Sequence, residues 1–169
     1  MRCIPSPNCN ERPAGTLPDL LVLHCISLPR GEYGNDYVEH LFTNCLDPNA
    51  HESFAAIKDE KVSAHAFIHR NGGITQFVSF DQCAWHAGQS LYEGRGCCND
   101  FSIGIELEGT DDTAFEAVQY ESLISLVKTL LVIYPSLSRQ RIVGHSDIAP
   151  QRKLDPGQYF NWEQFRASL

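Results

Sequence analysis

Four consecutive aliphatic residues, Leu20-Leu21-Val22-Leu23, run into His24, Cys25, Ile26 and Ser27. On a strand, successive side chains point to opposite faces, so a run that is apolar at every position is buried on both. Leu20 to Ser27 is therefore read as a central strand of a covered sheet, and the histidine at its end is the first departure from apolar character. The rest of the chain supplies the cover. Tyr120, Leu123, Ile124, Val127, Leu130, Leu131 and Tyr134 recur at helical spacing, which predicts a helix from about Phe115 to Tyr134, ended by Pro135.

Further strands are expected at Val62–His69 and Ile74–Phe80, joined through Asn71-Gly72-Gly73 as a hairpin. Others are expected at Phe101–Leu107 and Arg141–His145. Asp36 can cap a short helix carrying Val38, Leu41 and Phe42, and Asn161–Leu169 reads as a closing helix. Residues 1–18 are polar and proline-rich and should wrap the surface, whereas 44–60 reads as an irregular loop. Residues 81–100, with Trp85, His86 and Tyr92, have the length of a binding loop. Strands interleaved with helices predict an α/β fold, and the hairpin makes its central β-sheet mixed. No repeat or linker divides the chain, so residues 1–169 are expected to form a single domain.

A net charge of −8 argues against nucleic acid, which needs a basic footprint, and against attraction to an anionic wall or membrane surface. No segment approaches the roughly 18 apolar residues of a membrane span. The opening residues Met1 to Asn8 have no apolar stretch of the secretory type, so the expected location is the cytoplasm. Seven cysteines (3, 9, 25, 45, 83, 97 and 98) form no CxxC pair, and their odd number fits reduced thiols better than a disulfide frame.

The chemistry-bearing residues concentrate at Gly144-His145-Ser146-Asp147 and on to Lys153-Leu154-Asp155-Pro156-Gly157, a loop following a short apolar strand. Pro150 and Pro156 keep it from being helical throughout. Lys153 and Asp155, two apart, would point the same way from an extended backbone. His24, His145 and Asp155 then make a three-ligand set of the kind that holds catalytic Zn2+ with the fourth position left to water. His65 and His69 do not make a second set, since on a strand they lie about 13 Å apart. His65 either lines a cleft or is a hydrogen-bonded structural residue. Cys25 should point away from His24 and pack as a thiol.

Glu106 and Glu108 share a strand face, and Glu108, at the rim before Gly109, reads as a solvated carboxylate. Trp85, His86 and Tyr92 could wall a sugar or peptide, or simply pack their loop. A thiol hydrolase using Cys97 or Cys98 with His86 as base is a rival chemistry, but Gly94 to Asn99 supplies no orienting group.

Taken together, Leu23-His24-Cys25-Ile26-Ser27, Ser63-Ala64-His65, Ala84-Trp85-His86-Ala87-Gly88, Ser102 to Gly109 and Gly144-His145 to Gly157 resemble the zinc N-acetylmuramoyl-L-alanine amidases, in particular the cytoplasmic 1,6-anhydro-N-acetylmuramyl-L-alanine amidases. The motifs span most of the chain in the family's order. The resemblance implies a mixed sheet flanked by helices, as in peptidoglycan recognition proteins. It also implies a zinc site at His24, His145 and Asp155, with Glu106 as the catalytic glutamate and Lys153 as the oxyanion-stabilising lysine. The implied substrate is a small soluble 1,6-anhydro-muropeptide from wall turnover, cut between N-acetylmuramic acid and L-alanine by a monomer. A general murein amidase and a noncatalytic peptidoglycan-binding module are the alternatives, and Asp155 separates enzyme from module, because binding relatives often lack that ligand. Lys61 departs from the arginine of close relatives, keeping the charge but losing the planar fork.

Overall fold

A computed structural model describes residues 1–169. In chain order the strands are β1 (Arg2–Cys3), β2 (Cys9–Glu11), β3 (Leu20–Ile26), β4 (Ala66–Ile68), β5 (Ile74–Gln76), β6 (Gln82–Ala84), β7 (Leu91–Tyr92), β8 (Arg95–Gly96), β9 (Ser102–Glu108) and β10 (Ile142–Gly144). The helices are α1 (Tyr37–Phe42), α2 (Ala117–Ile133), α3 (His145–Ile148) and α4 (Trp162–Ala167). Six strands form one sheet in the order β1-β5-β4-β9-β3-β10. Only the β4–β5 pair is antiparallel, so the sheet is mixed, as expected.

The aliphatic run behaves as its pattern requires: Leu20 to Leu23 are each at most 1% exposed, in a strand with neighbours on both sides. One face carries Leu21, Leu23, Ile103, Ile105 and Leu107, and α2 lays Tyr120, Leu123, Val127 and Leu130 against it. The Gln119 side chain accepts from the Glu116 backbone N–H, satisfying one free donor at the start of α2. Phe160 and Phe165 from the C-terminal segment complete this cluster. On the other face two smaller clusters form, one around Leu20, Val22, Phe101 and Ile148, the other around Phe42, Phe54, Phe67 and Phe77.

The hairpin strands are shorter than expected. Ser63 donates its backbone N–H to the Trp85 carbonyl (3.1 Å) and its hydroxyl to the Asn8 carbonyl (2.7 Å), so the chain before His65 is committed elsewhere. Residues 1–18 do more than wrap the surface: β1 is the sheet's edge, and β2 pairs antiparallel with β6. Their inward contacts are polar. Buried Asn8 donates from its amide to the Val62 carbonyl (2.8 Å) and to Asn44 (3.0 Å). Arg12 donates to the carbonyls of Phe80, Asp100 and Ser102 at 2.9–3.1 Å.

Candidate metal centre

The register of β3 on β9 sets Leu20 beside Ser102, Val22 beside Gly104 and His24 beside Glu106. In a parallel pair, side chains in register leave the sheet on the same face. That face is the one not covered by α2, and its last rung brings an imidazole and a carboxylate together. β10 pairs with the other edge of β3, Gly144 beside Leu23, so His145 leaves the sheet one residue later. The chain then turns at once into α3, whose start is fixed by Gly144 N–H donating to Asp147 Oδ2 (2.8 Å). Pro150 ends this turn of helix, and the returning loop is tied to it by Ser146 N–H on the Asp155 carbonyl (3.0 Å). Leu154 is 70% exposed while Lys153 and Asp155 on either side turn inward, the alternation of an extended segment.

Three atoms converge as a result. His24 Nδ1 lies 2.9 Å from His145 Nδ1 and 3.0 Å from Asp155 Oδ2, and His145 Nδ1 lies 3.1 Å from the same oxygen. His145 Nε2 faces the Ala87 carbonyl at 3.2 Å, an atom that can only accept, so this nitrogen carries a hydrogen and Nδ1 is the one turned toward the triangle as a ligand atom. Burial keeps His24 neutral by driving its pKa down to about 4, against the pull of Asp155. A neutral nitrogen lone pair and a carboxylate oxygen at this separation repel unless a cation lies between them. Ligand atoms of a tetrahedral zinc with bonds of about 2.0–2.1 Å sit roughly 3.3 Å apart, close to the observed triangle. The donor set fits Zn2+.

Glu106, Lys153, His145, Asp155 and Trp85 line one cavity of about 190 Å3. Glu106 Oε2 is buried with no hydrogen-bond partner. Burial pushes this carboxyl well above the usual range, the charge on Asp155 adds to that, and Lys153 works against it. An unpaired acceptor beside a cation site is placed to take a proton from whatever enters. Lys153 also borders two flanking openings. One, of about 340 Å3, includes Arg30, Arg152 and Asp155, and the other, of about 420 Å3, includes Lys61, Arg152 and Trp85.

Several expectations resolve differently. Glu108 is not a solvated rim carboxylate: it is 3% exposed and accepts the backbone N–H of Gly34 (2.5 Å) and Arg70 (2.8 Å). Its strand end is roofed by the Gly31–Gly34 turn and the hairpin, which a pattern of alternating residues does not reveal. His65 is structural, fully buried, with Nδ1 accepting from Gly104 N–H (2.9 Å) and Nε2 on the Gln82 carbonyl (2.9 Å). Of the three aromatic loop residues, Trp85 lines the cavity, whereas Tyr92 packs against the cluster that contains Leu20 and Val22, with Arg141 across its ring. His86 borders the same cavity from a buried position, with Nδ1 against His24 Nε2 (2.9 Å) and Nε2 against Ser102 Oγ (3.1 Å). Both nitrogens are engaged, which leaves it unable to serve a thiol. Cys25 packs on the α2 side, as its strand position required, and burial pushes its thiol far up.

The chain matches the model of the N-acetylmuramoyl-L-alanine amidase family over residues 14–158. It is 52% identical over 168 residues to a protein of Enterobacter cloacae described as 1,6-anhydro-N-acetylmuramyl-L-alanine amidase AmpD, covering 99% of this chain and 89% of that protein. A crystal structure of an AmpD selenomethionine derivative superposes with a TM-score of 0.97 at 51% identity, covering 99% of this chain and 93% of that one. The Escherichia coli amidase AmiD, solved in complex with the substrate anhydro-N-acetylmuramic acid-L-Ala-D-gamma-Glu-L-Lys, superposes with a TM-score of 0.64 at 32% identity, covering 94% of this chain and 60% of that one.

Proposed function

This chain belongs to the N-acetylmuramoyl-L-alanine amidase family, and from that premise we propose that it hydrolyses the amide bond between 1,6-anhydro-N-acetylmuramic acid and L-alanine in muropeptides released during cell-wall recycling. The observation that carries the reading is the meeting of His24 Nδ1, His145 Nδ1 and Asp155 Oδ2 within 2.9–3.1 Å, on a cavity shared with Glu106 and Lys153. His24, His145 and Asp155 would hold zinc. When bound, the metal supplies an acidified water and a polarised amide carbonyl. Glu106 takes the proton of the attacking water and passes it to the departing amide nitrogen, so that L-alanine leaves as a free amine. Lys153 places a fixed positive charge where negative charge gathers on the carbonyl oxygen. Trp85 forms part of the wall that seats the substrate, and Lys61, Arg30 and Arg152 line the openings through which charged peptide groups pass.

The whole chain, residues 1–169, acts as one amidase domain and works as a monomer in the cytoplasm. Its acidic balance suits a small soluble fragment rather than an anionic polymer.

The test is mass analysis of products from a 1,6-anhydro-muropeptide and its reducing-end counterpart, with and without chelation. Free peptide and anhydro-muramic acid are expected. A contact difference of about 3 kcal/mol in the transition state would favour the anhydro form by on the order of 10²-fold. Undiminished cleavage by metal-free protein overturns the zinc reading. Equal rates on both substrates, with peptide released from intact murein, would make this a general wall amidase.

A further inference from the structure

The two imidazoles of the metal centre are oriented by a single dipeptide, His86-Ala87. Ser102 Oγ lies 2.5 Å from the Cys98 carbonyl, which can only accept, so the hydroxyl proton is spent there. Toward His86 the hydroxyl must therefore accept, and the 3.1 Å contact with His86 Nε2 is an N–H donated to oxygen. A neutral ring whose one hydrogen goes from Nε2 to Ser102 is an acceptor at Nδ1, and no carboxylate contacts this ring to favour a second proton. The 2.9 Å contact with His24 Nε2 is consequently donated by His24, and His24 Nδ1 is left with a lone pair facing His145 and Asp155. One residue along, the Ala87 carbonyl performs the same service for His145. Both backbone N–H groups of the dipeptide are clamped by Asn99 Oδ1, at 3.1 Å and 2.8 Å. Arg152 Nη2 adds a bond to the Ala87 carbonyl at 2.8 Å.

The room for this arrangement is built into the strand. A Cβ on Gly104, between Ser102 and Glu106 on the same face, would lie inside the van der Waals envelope of the His86 ring. Burying an imidazole with both nitrogens paired to a serine and a second imidazole is not required by packing, since an apolar side chain would fill the same space.

We propose that Ser102 and His86 are positioning residues that fix His24 as the Nε2–H tautomer and so hold its Nδ1 ready for the metal. The inference rests on the zinc reading of His24, His145 and Asp155. Partners of this kind, one bond removed from a metal ligand, are worth about 10–100-fold in metal affinity.

The test measures zinc affinity by chelator competition in the full chain, together with ring nitrogen-15 shifts of the metal-free protein. In the wild type, His24 is expected as the Nε2–H tautomer. Ser102→Ala removes the acceptor, lets His86 change tautomer, and should give a mixed His24 and zinc binding about 10–100-fold weaker. His86→Ala should weaken zinc similarly, whereas His86→Asn, whose Oδ1 can occupy the position of the ring Nδ1, should recover most of the affinity. A role in packing alone predicts the reverse, with Ser102→Ala harmless and His86→Asn as poor as His86→Ala; either result overturns the proposal. Should Ser102→Ala melt at room temperature, the contrast between the two His86 variants decides by itself. A wild type that binds no zinc would fail the metal assignment instead, and a wild type that binds tightly beside unaffected variants would fail only the orientation by His86 and Ser102.

Discussion

His24 and Glu106 occupy the same rung of two neighbouring parallel strands, so the imidazole and the carboxylate rise side by side from one face of the sheet. Their spacing is set by backbone hydrogen bonds rather than by a loop. A substitution of either side chain therefore leaves the other in place, which makes their roles separable by experiment.

Glu106 should matter to chemistry and not to metal. Glu106→Gln is expected to lower turnover by about 10²–10⁴-fold with zinc content unchanged. Because Oε2 is buried without a partner, the variant should be at least as stable as the wild type in chemical denaturation. Loss of bound zinc in Glu106→Gln would mean that the carboxylate helps to hold the metal.

Glu108 should behave in the opposite way. Its carboxylate satisfies the backbone N–H of Gly34 and Arg70, so Glu108→Ala strands two donors and should cost about 1–3 kcal/mol of stability. The folded fraction should retain near-normal turnover. A loss of turnover as large as that of Glu106→Gln, at full stability, would show that the wrong carboxylate has been assigned to the chemistry.

For Lys153, replacement by alanine should reduce kcat by about 10²–10³-fold, the range seen when one oxyanion donor is lost. The Lys153 ammonium forms no ion pair, so folding should be little affected. A rise in KM with kcat unchanged would assign it to peptide binding instead.

Asp155 gives the most direct readout of the metal centre. Removing its oxygen from the triangle leaves two nitrogens, and Asp155→Ala should bind zinc at least 10-fold more weakly than the wild type. Zinc in the purified variant at the wild-type level of about one per chain would move the site elsewhere.

Acid should destabilise the fold through His65. Burial, with the Arg12 guanidinium adding to it, lowers the pKa of His65 to about 3, whereas the unfolded side chain titrates near 6.5. Between these values the unfolded chain binds the extra proton, so this contribution is complete above about pH 6.5 and is lost as pH falls toward 3. The slope is about 1.4 kcal/mol per pH unit at most. Denaturation of the metal-free protein at pH 7, 6 and 5, compared with His65→Asn, should show the variant less sensitive by about that slope. Parallel pH dependence in the two proteins would contradict the buried neutral state.

The parts of this structure legible in the sequence are those written in apolar periodicity or in unusual residue types. The run Leu20–Leu23 is a central strand, the spacing from Tyr120 to Leu130 is helix α2, and His24, His145 and Asp155 do converge. Polar cohesion is what the pattern hides. Asn8 and Arg12 tie a segment without apolar periodicity into the fold through carbonyls distant in sequence. Glu108 reads as exposed because the Gly31–Gly34 turn that covers it comes from more than 70 positions away, as the 74-residue separation of Gly34 and Glu108 shows. His86 does border the cavity, but its two ring-nitrogen contacts, to His24 and Ser102, are not visible in the loop's sequence. Ser102, four residues before Glu106 on the same strand face, was the available sign that the polar side of β9 continues inward to meet it.

The pairing of β3 has a consequence for how the molecule comes into being. Its neighbours are β9 and β10, whose registered partners for Leu21 are Ile103 and Ile142. On a ribosome, a strand apolar on both faces emerges first and waits for roughly 80 further residues before its first partner exists, at about 5–20 residues per second. Until then Leu20–Leu23 is an unpaired, aggregation-prone segment. The third donor arrives later still, with residue 155, so the metal centre is among the last features a growing chain can complete. A cation bound by that triad could not template the early sheet; it could only report that the sheet has closed.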